Sequence, residues 1–149
     1  VSVGESMPSI AGLPEAYLKN ILMEWKSGAR ASANMTRLIS GYTDEEIAAL
    51  AAYYSKLPWK PVDQKTDKAL VKKGKTAASS CTACHGDTGA GDSETPQLSG
   101  QWSKYMQLEL MKYRDESFKL THQKMRKAAT KAGEADGKAA VEFFASQKK

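Results

Sequence analysis

The sequence predicts an all-helical protein made of two copies of one unit, and three observations carry that reading. Laid on itself at an offset of 88, the chain pairs Pro8 with Pro96, Ile10 with Leu98, Gly12 with Gly100, Tyr17 with Tyr105, Leu22 with Leu110, Met23 with Met111 and Trp25 with Tyr113 without a gap. At an offset of 90, Met35 pairs with Met125, Ala51 with Val141, Tyr53 with Phe143 and Tyr54 with Phe144. Self-similarity of this kind marks a repeated structural unit. Apolar residues recur at helical spacing throughout, and no segment alternates in the manner of a strand.

Each copy opens with a proline-led loop followed by a helix. In the first, Tyr17, Leu18, Ile21, Leu22 and Trp25 fall on one helical face. A closing helix starts at Thr43, with Glu46 three residues on as a capping box, and buries Ile47, Leu50, Ala51 and Tyr54. The polar stretch KLPWKPVDQKT carries Pro58 and Pro61, which forbid a continuous helix. The expected domains are therefore 1–60 and 61–149, with the boundary inside 57–66. A further helix is expected from Asp67 to Ser80, running into CTACHGDTGAG, and the second amphipathic helix from Trp102 to Tyr113.

Composition narrows the function. The 149 residues contain only two cysteines, Cys81 and Cys84, so no disulfide framework supports two small cores, and a bound group serving as core is expected. The net charge of +5 lies in the second half, where residues 61–149 hold sixteen Lys/Arg against eleven Asp/Glu. These lysines are scattered and no basic helix is interleaved with aromatics, which argues against nucleic acid. The longest apolar run, Ile47 to Tyr54, is far short of the roughly 18 residues of a transmembrane helix. The opening VSVGESMPSIAG lacks the pattern of a signal peptide. A cytosolic chain and one whose signal has been removed are the two expectations.

Cys81-x-x-Cys84-His85 is the attachment pattern of a c-type haem. The two thiols bond to the porphyrin vinyl groups, and the imidazole that follows becomes an iron ligand. A zinc site would need four soft ligands, whereas the chain has two cysteines and two histidines, His85 and His122. A thioredoxin-like pair would need a strand-to-helix setting that this sequence does not offer. The repeat nominates Met125 as the sixth ligand, with His122 as the rival that would give a bis-histidine site. Met106 and Met111 read as core filler. With both axial positions filled, the iron has no vacancy for substrate, which points to electron transfer rather than catalysis.

Pro96 and Leu98 are expected at the haem edge, the proline carbonyl meeting His85. Trp102 and Tyr105 are expected to pack against the porphyrin, with Tyr113; plain core packing is the alternative. A copper-binding module built on Met7, Met23 or His122 is a third class of function. Extended upstream, the repeat places the counterparts of Cys81 and His85 before Val1, so the first copy lacks an attachment motif. Two accounts follow: a chain whose first haem segment has been cut away, or a single-haem descendant of a two-haem ancestor. An empty first pocket would expose Tyr17, Trp25 and Met35.

CTACHG with its glycine-rich tail, PQLSGQW, YMQLELMKYR and PSIAG…WKSGARASANM…GYTDEEIAALAAYYSKL together resemble the two-domain, two-haem class I cytochromes c. Within that group, MEWKSGARASANMTRLISGY and the ending EFFASQKK are similar to the cytochrome subunit of flavocytochrome c sulfide dehydrogenase. The resemblance implies a periplasmic heterodimer, in which a flavoprotein with FAD and a redox-active disulfide oxidises sulfide and passes electrons to the cytochrome. It implies that Cys81 and Cys84 anchor haem c, that His85 is the proximal ligand and Met125 the distal one, and that Met35 matches the distal ligand of the first haem. A second haem would need the missing upstream motif. A free-standing periplasmic cytochrome feeding a terminal oxidase is the alternative. Either way, a downstream electron acceptor is implied.

Overall fold

The computed structural model describes residues 1–148 and contains seven α-helices and, among those residues, no strand: α1 (Glu15–Ser27), α2 (Ala33–Ile39), α3 (Asp44–Ser55), α4 (Lys68–Ala77), α5 (Ser79–His85), α6 (Ser103–Arg114) and α7 (Gln123–Ala145). In the first half α1 packs on α2 and α3; in the second, α7 packs on α4, α5 and α6. The architecture is thus two-domain and all-α. Among the described residues no helix is long and apolar enough to cross a membrane.

The repeat is visible in the hydrogen bonds. Gly12 N–H donates to Tyr54 O at 2.8 Å, and Gly100 N–H donates to Phe144 O at 3.0 Å. Both glycines have positive φ, 78° and 68°. A Cβ on Gly12 would lie 2.9 Å from Leu57 O, and one on Gly100 3.0 Å from Gln147 O. Only glycine fits a loop that must turn left-handed against a backbone. The helix ends correspond as well: the rings of Tyr53 and Tyr54, and those of Phe143 and Phe144, each sit 5.3 Å apart.

The structure adds elements that the sequence reading lacked. Each copy has a short helix before its closing helix. In the first it is α2, capped by Ser32, whose hydroxyl accepts from Met35 N–H. In the second it is fused into α7, where Gly133 (φ 70°, ψ −171°) marks the joint. The expected helix 67–80 also divides: α4 starts at its Asp67 cap and ends at Ala77, and α5 begins at Ser79. Ala78 is the hinge, accepting from both Cys81 and Thr82 N–H. The capping box at Thr43 and Glu46 forms with both reciprocal bonds. Of the expected core of α3, Ile47 and Ala51 are fully buried, whereas Leu50 and Tyr54 are half-buried.

Gly74 fixes where α4 crosses α7. A Cβ there would strike the Ala139 carbonyl and come within 2.6 Å of Phe143 Cβ. That contact seats α4 on the core of Ala78, Met106, Ala140, Val141, Phe144 and Ala145. The buried Glu142 carboxylate accepts from Asp67 N–H at 2.9 Å and holds the start of α4 in place.

Polar contacts join the halves. Buried Gln101 makes both bonds to the backbone of Ser9, and the Trp59 indole N–H donates to Ser99 O. Ala31 N–H donates to Lys119 O at 2.9 Å. Arg30, 4% exposed, donates to Glu109 at 2.7 Å and to the Tyr113 hydroxyl at 3.2 Å. Glu109 also accepts from Lys112 at 2.5 Å. Burial opposes the Arg30 charge, but Tyr113 and Glu109 more than offset it and keep the guanidinium protonated. The phenols of Tyr17 and Tyr105 lie inside this cluster although their residues are only half-buried overall; burial pushes both, and Tyr113, above the ordinary tyrosine range.

Two outcomes are expected. Arg30→Met strands a half-buried carboxylate with Lys112 as its remaining partner and costs about 2 kcal/mol, below the roughly 3–5 kcal/mol of a fully orphaned buried ion. Urea unfolding of Arg30→Met, Glu109→Leu and the double variant measures this, and the double variant recovers part of the loss. In an alkaline titration of absorbance, Tyr17, Tyr105 and Tyr113 resist ionisation past pH ~10, the ordinary phenol value. Because their folded pKa is raised, the stability they lend is complete below pH ~10 and is lost as pH rises beyond it. Their ionisation therefore coincides with alkaline unfolding, read by circular dichroism.

Candidate haem-binding site

Helix α5 is little more than the motif, SSCTACH. Its helical repeat places Cys81, Cys84 and His85 on adjoining positions of one short element. Both thiols are free, Cys81 half-buried and Cys84 exposed. Burial pushes the Cys81 thiol up, so it remains neutral. Gly86, with φ 77°, ends the helix directly after the histidine.

His85 is 7% exposed and its orientation is fixed by one bond. Its Nδ1–H donates to the Pro96 carbonyl at 3.1 Å. This sets the tautomer, leaving Nε2 as the lone-pair nitrogen for a metal. Burial lowers the imidazole pKa, which favours the neutral form that binds metals.

The loop after α5 folds back on it. Leu98 and Ser99 N–H both donate to Gly89 O, at 2.7 and 3.0 Å. A Cβ on Gly89 would lie 2.6 Å from the Phe144 ring, so the loop packs directly on the core. Leu98, Tyr105 and Cys81 pack against one core cluster, so the structure brings these three expected residues together. Trp102 stands apart, its indole N–H donating to Ser2 O at 3.2 Å from the head of α6.

Met125 is the third residue of α7 and half-buried; Met35 holds the same place in α2. Arg126 beside it donates to Asp115 O and Phe118 O, each at 2.6 Å, and so anchors the loop leading into α7. His122 faces the first half, its Nε2 3.1 Å from Glu24 Oε1 though without hydrogen-bond geometry. Glu24 instead accepts from the Thr121 hydroxyl at 2.6 Å. Tyr17, Trp25 and Met35 are half-buried; the exposed large apolar residues of the first half are Val1, Val3, Met7, Ile10, Leu38, Tyr42 and Tyr53.

The sequence reading passed over Gly91, Asp92 and Thr95. Gly91 N–H donates to His85 O at 2.8 Å, and Asp92 organises the turn that ends at Pro96. The signal was present in the glycine spacing of DTGAGD, but the partners of these residues are visible only in three dimensions. Among the described residues no group of three or more His, Cys, Asp or Glu side chains is placed to hold a metal ion by itself. The donor set of two thiols and one oriented imidazole fits a porphyrin held by thioether bonds with its iron on His85.

Comparison with known proteins agrees. The cytochrome c family pattern matches residues 71–148. The thiosulfate dehydrogenase electron acceptor of Thiomonas intermedia is 33% identical over 121 residues, covering 74% of this chain and 56% of that protein. The cytochrome subunit of sulfide dehydrogenase from Chlorobaculum tepidum is 41% identical over 51 residues, 34% of this chain and 46% of that one. The crystal structure of reduced cytochrome c4 from Pseudomonas stutzeri superimposes with a TM-score of 0.87 at 25% identity, covering 98% of this chain and 87% of that one. The chain spans 63%, 56% and 61% of the length of three curated relatives that it matches over about three quarters of its own. On its motif, its fold and this match, the chain belongs to the cytochrome c family and has the two-domain, c4-like form of it.

Proposed function

We propose that the chain carries haem c on Cys81, Cys84 and His85 and works as the electron-accepting cytochrome subunit of a periplasmic sulfide dehydrogenase. The observation that carries the haem assignment is the single short helix α5, which presents two free thiols beside an imidazole oriented by Pro96. The likeness to the Chlorobaculum tepidum subunit supports the sulfide partner. That partner would be an FAD-containing flavoprotein, with an external acceptor receiving the electrons. We place the domain boundary in 57–66, giving units 1–60 and 61–149.

When bound, the haem supplies a one-electron Fe(III)/Fe(II) couple. The residues of the chain set its conditions. Cys81 and Cys84 would hold the ring in place, and His85 would bind the iron through Nε2. Met125 would supply a sulfur ligand, favouring the reduced metal. Leu98 and Tyr105, which pack against the same core cluster as Cys81, would exclude water from the ring edge, and Pro96 would keep the imidazole turned; Trp102 would close the far margin. No proton need move for the electron to pass.

The second reading is a free-standing periplasmic cytochrome delivering electrons to a terminal oxidase. It is favoured by the superposition on cytochrome c4 over nearly the whole chain. Purification of the native protein from its source separates the two. Co-elution with a flavin-containing subunit supports the first reading, and a cytochrome alone in every fraction supports the second. Intact mass of the 149-residue chain matured in a haem-attaching host counts the haems: the 16.2 kDa polypeptide plus one haem is expected for its one attachment motif, and the polypeptide mass alone overturns the assignment.

The distal ligand is tested by replacement. Met125→Ala is expected to remove the methionine-to-iron charge-transfer band from the visible spectrum and to lower the midpoint potential, since a soft sulfur donor is lost. His122→Ala is expected to leave both unchanged. A wild type without that band, together with a potential that shifts in His122→Ala and not in Met125→Ala, would assign the sixth position to His122.

A further inference from the structure

We propose that Asp92 is a positioning residue for His85: its carboxylate builds the turn that holds the Pro96 carbonyl against the imidazole. The inference extends the haem reading and rests on it. Residues 85–96 form a loop tied twice to the same histidine. At one tie Gly91 N–H donates to the His85 main-chain carbonyl at 2.8 Å, and at the other the Pro96 carbonyl accepts from the His85 ring at 3.1 Å.

Between those ties the chain is shaped by one side chain. Asp92 Oδ1 accepts from Glu94 N–H at 2.8 Å and from Thr95 N–H at 2.7 Å, while Asp92 N–H donates to Thr95 O at 3.1 Å. A short acceptor two or three residues before the amides it binds is the side-chain mimic of a backbone turn. Gly91, with φ 71°, lets the chain close this tightly, because a Cβ there would meet the Thr95 carbonyl and come within 2.9 Å of Pro96 C. The amides of Glu94 and then Thr95 hold the Asp92 carboxyl below its ordinary range, a sign that the loop binds the ionised form. Asp92 is exposed, so its removal leaves the core intact.

The functional consequence runs through the imidazole. A carbonyl held firmly on Nδ1–H increases the donor strength of Nε2 and favours the oxidised metal. Without the Asp92 turn the Pro96 carbonyl loosens, the ring becomes a weaker donor, and the midpoint potential rises. Removing a negative charge near the haem raises the potential too, so charge and position must be separated. Asp92→Asn does so, because the amide oxygen keeps the turn while the charge is lost.

The test compares the haem-loaded wild type, Asp92→Ala and Asp92→Asn by optical redox titration, with amide hydrogen exchange at Glu94 and Thr95 read by NMR. In Asp92→Ala the potential rises and exchange at Thr95 accelerates about ten- to a hundredfold, the loss expected for a hydrogen bond to a charged acceptor. In Asp92→Asn exchange stays close to wild type, and the potential rises by less than in Asp92→Ala, because only the charge contribution is lost. An unchanged potential in Asp92→Ala overturns the proposal, and so does an equal rise in the two variants, which would make charge alone responsible. Intact mass of the same samples keeps the two readings apart. Haem-free wild type would overturn the haem assignment, and wild-type exchange rates in Asp92→Ala would then overturn the loop assignment on their own.

Discussion

The second domain depends on how closely α4 can lie against α7. Gly74 removes the side chain that would otherwise hold the two helices apart, and the Ala139 carbonyl and Phe143 Cβ occupy the space. Close helix contact of this kind gains dispersion energy from many atoms at once and tolerates little change. Its importance here is directional. Helix α4 feeds through Ala78 into α5, so the crossing determines where Cys81, Cys84 and His85 are presented relative to the core. Glu142 at the far end of α4 prevents the helix from sliding along that contact.

A second layer of constraint acts on the histidine itself. The glycine-rich loop after α5 packs Gly89 on the Phe144 ring, returns to the His85 main chain at Gly91 and to its side chain at Pro96. Ligand orientation is thus set by backbone groups, which move less than side chains do. A metal ligand held this way reorganises little between oxidation states, which suits an electron carrier better than a catalyst. The same loop reaches the N-cap of α6 through Gln101, whose side-chain oxygen accepts from Trp102 N–H, and the first domain through Ser9.

The two domains are joined differently from the way each is built. Inside each domain the contacts are mainly apolar; between them lie Arg30, Glu109, Tyr113, Gln101 and backbone bonds. A buried ion pair contributes little net stability but enforces one relative placement, because any other leaves a charge without a partner. His122 and Thr121 add to this boundary through Glu24, so the residues just before Met125 belong to the domain interface.

Much of this was legible in the sequence because it is encoded locally. The Cys81-x-x-Cys84-His85 spacing, the capping box at Thr43 and Glu46, and the helical stripes of Tyr17 to Trp25 each depend on residues a few positions apart. The repeat was legible because the two copies share constraints that only certain residues meet, such as Gly12 and Gly100 in the left-handed loop. Short helices were missed: α2 has seven residues and too few apolar positions to show a period, and Gly133 concealed its counterpart inside α7. What tertiary structure alone decided were the pairings across long separations. Arg30 with Glu109, Ser9 with Gln101, Gly74 with Phe143 and His122 with Glu24 are chosen by how packed helices bring distant side chains together, and no local spacing records that choice. The chemistry of the site was therefore written in five consecutive residues, while its orientation came from a core assembled out of the whole second half.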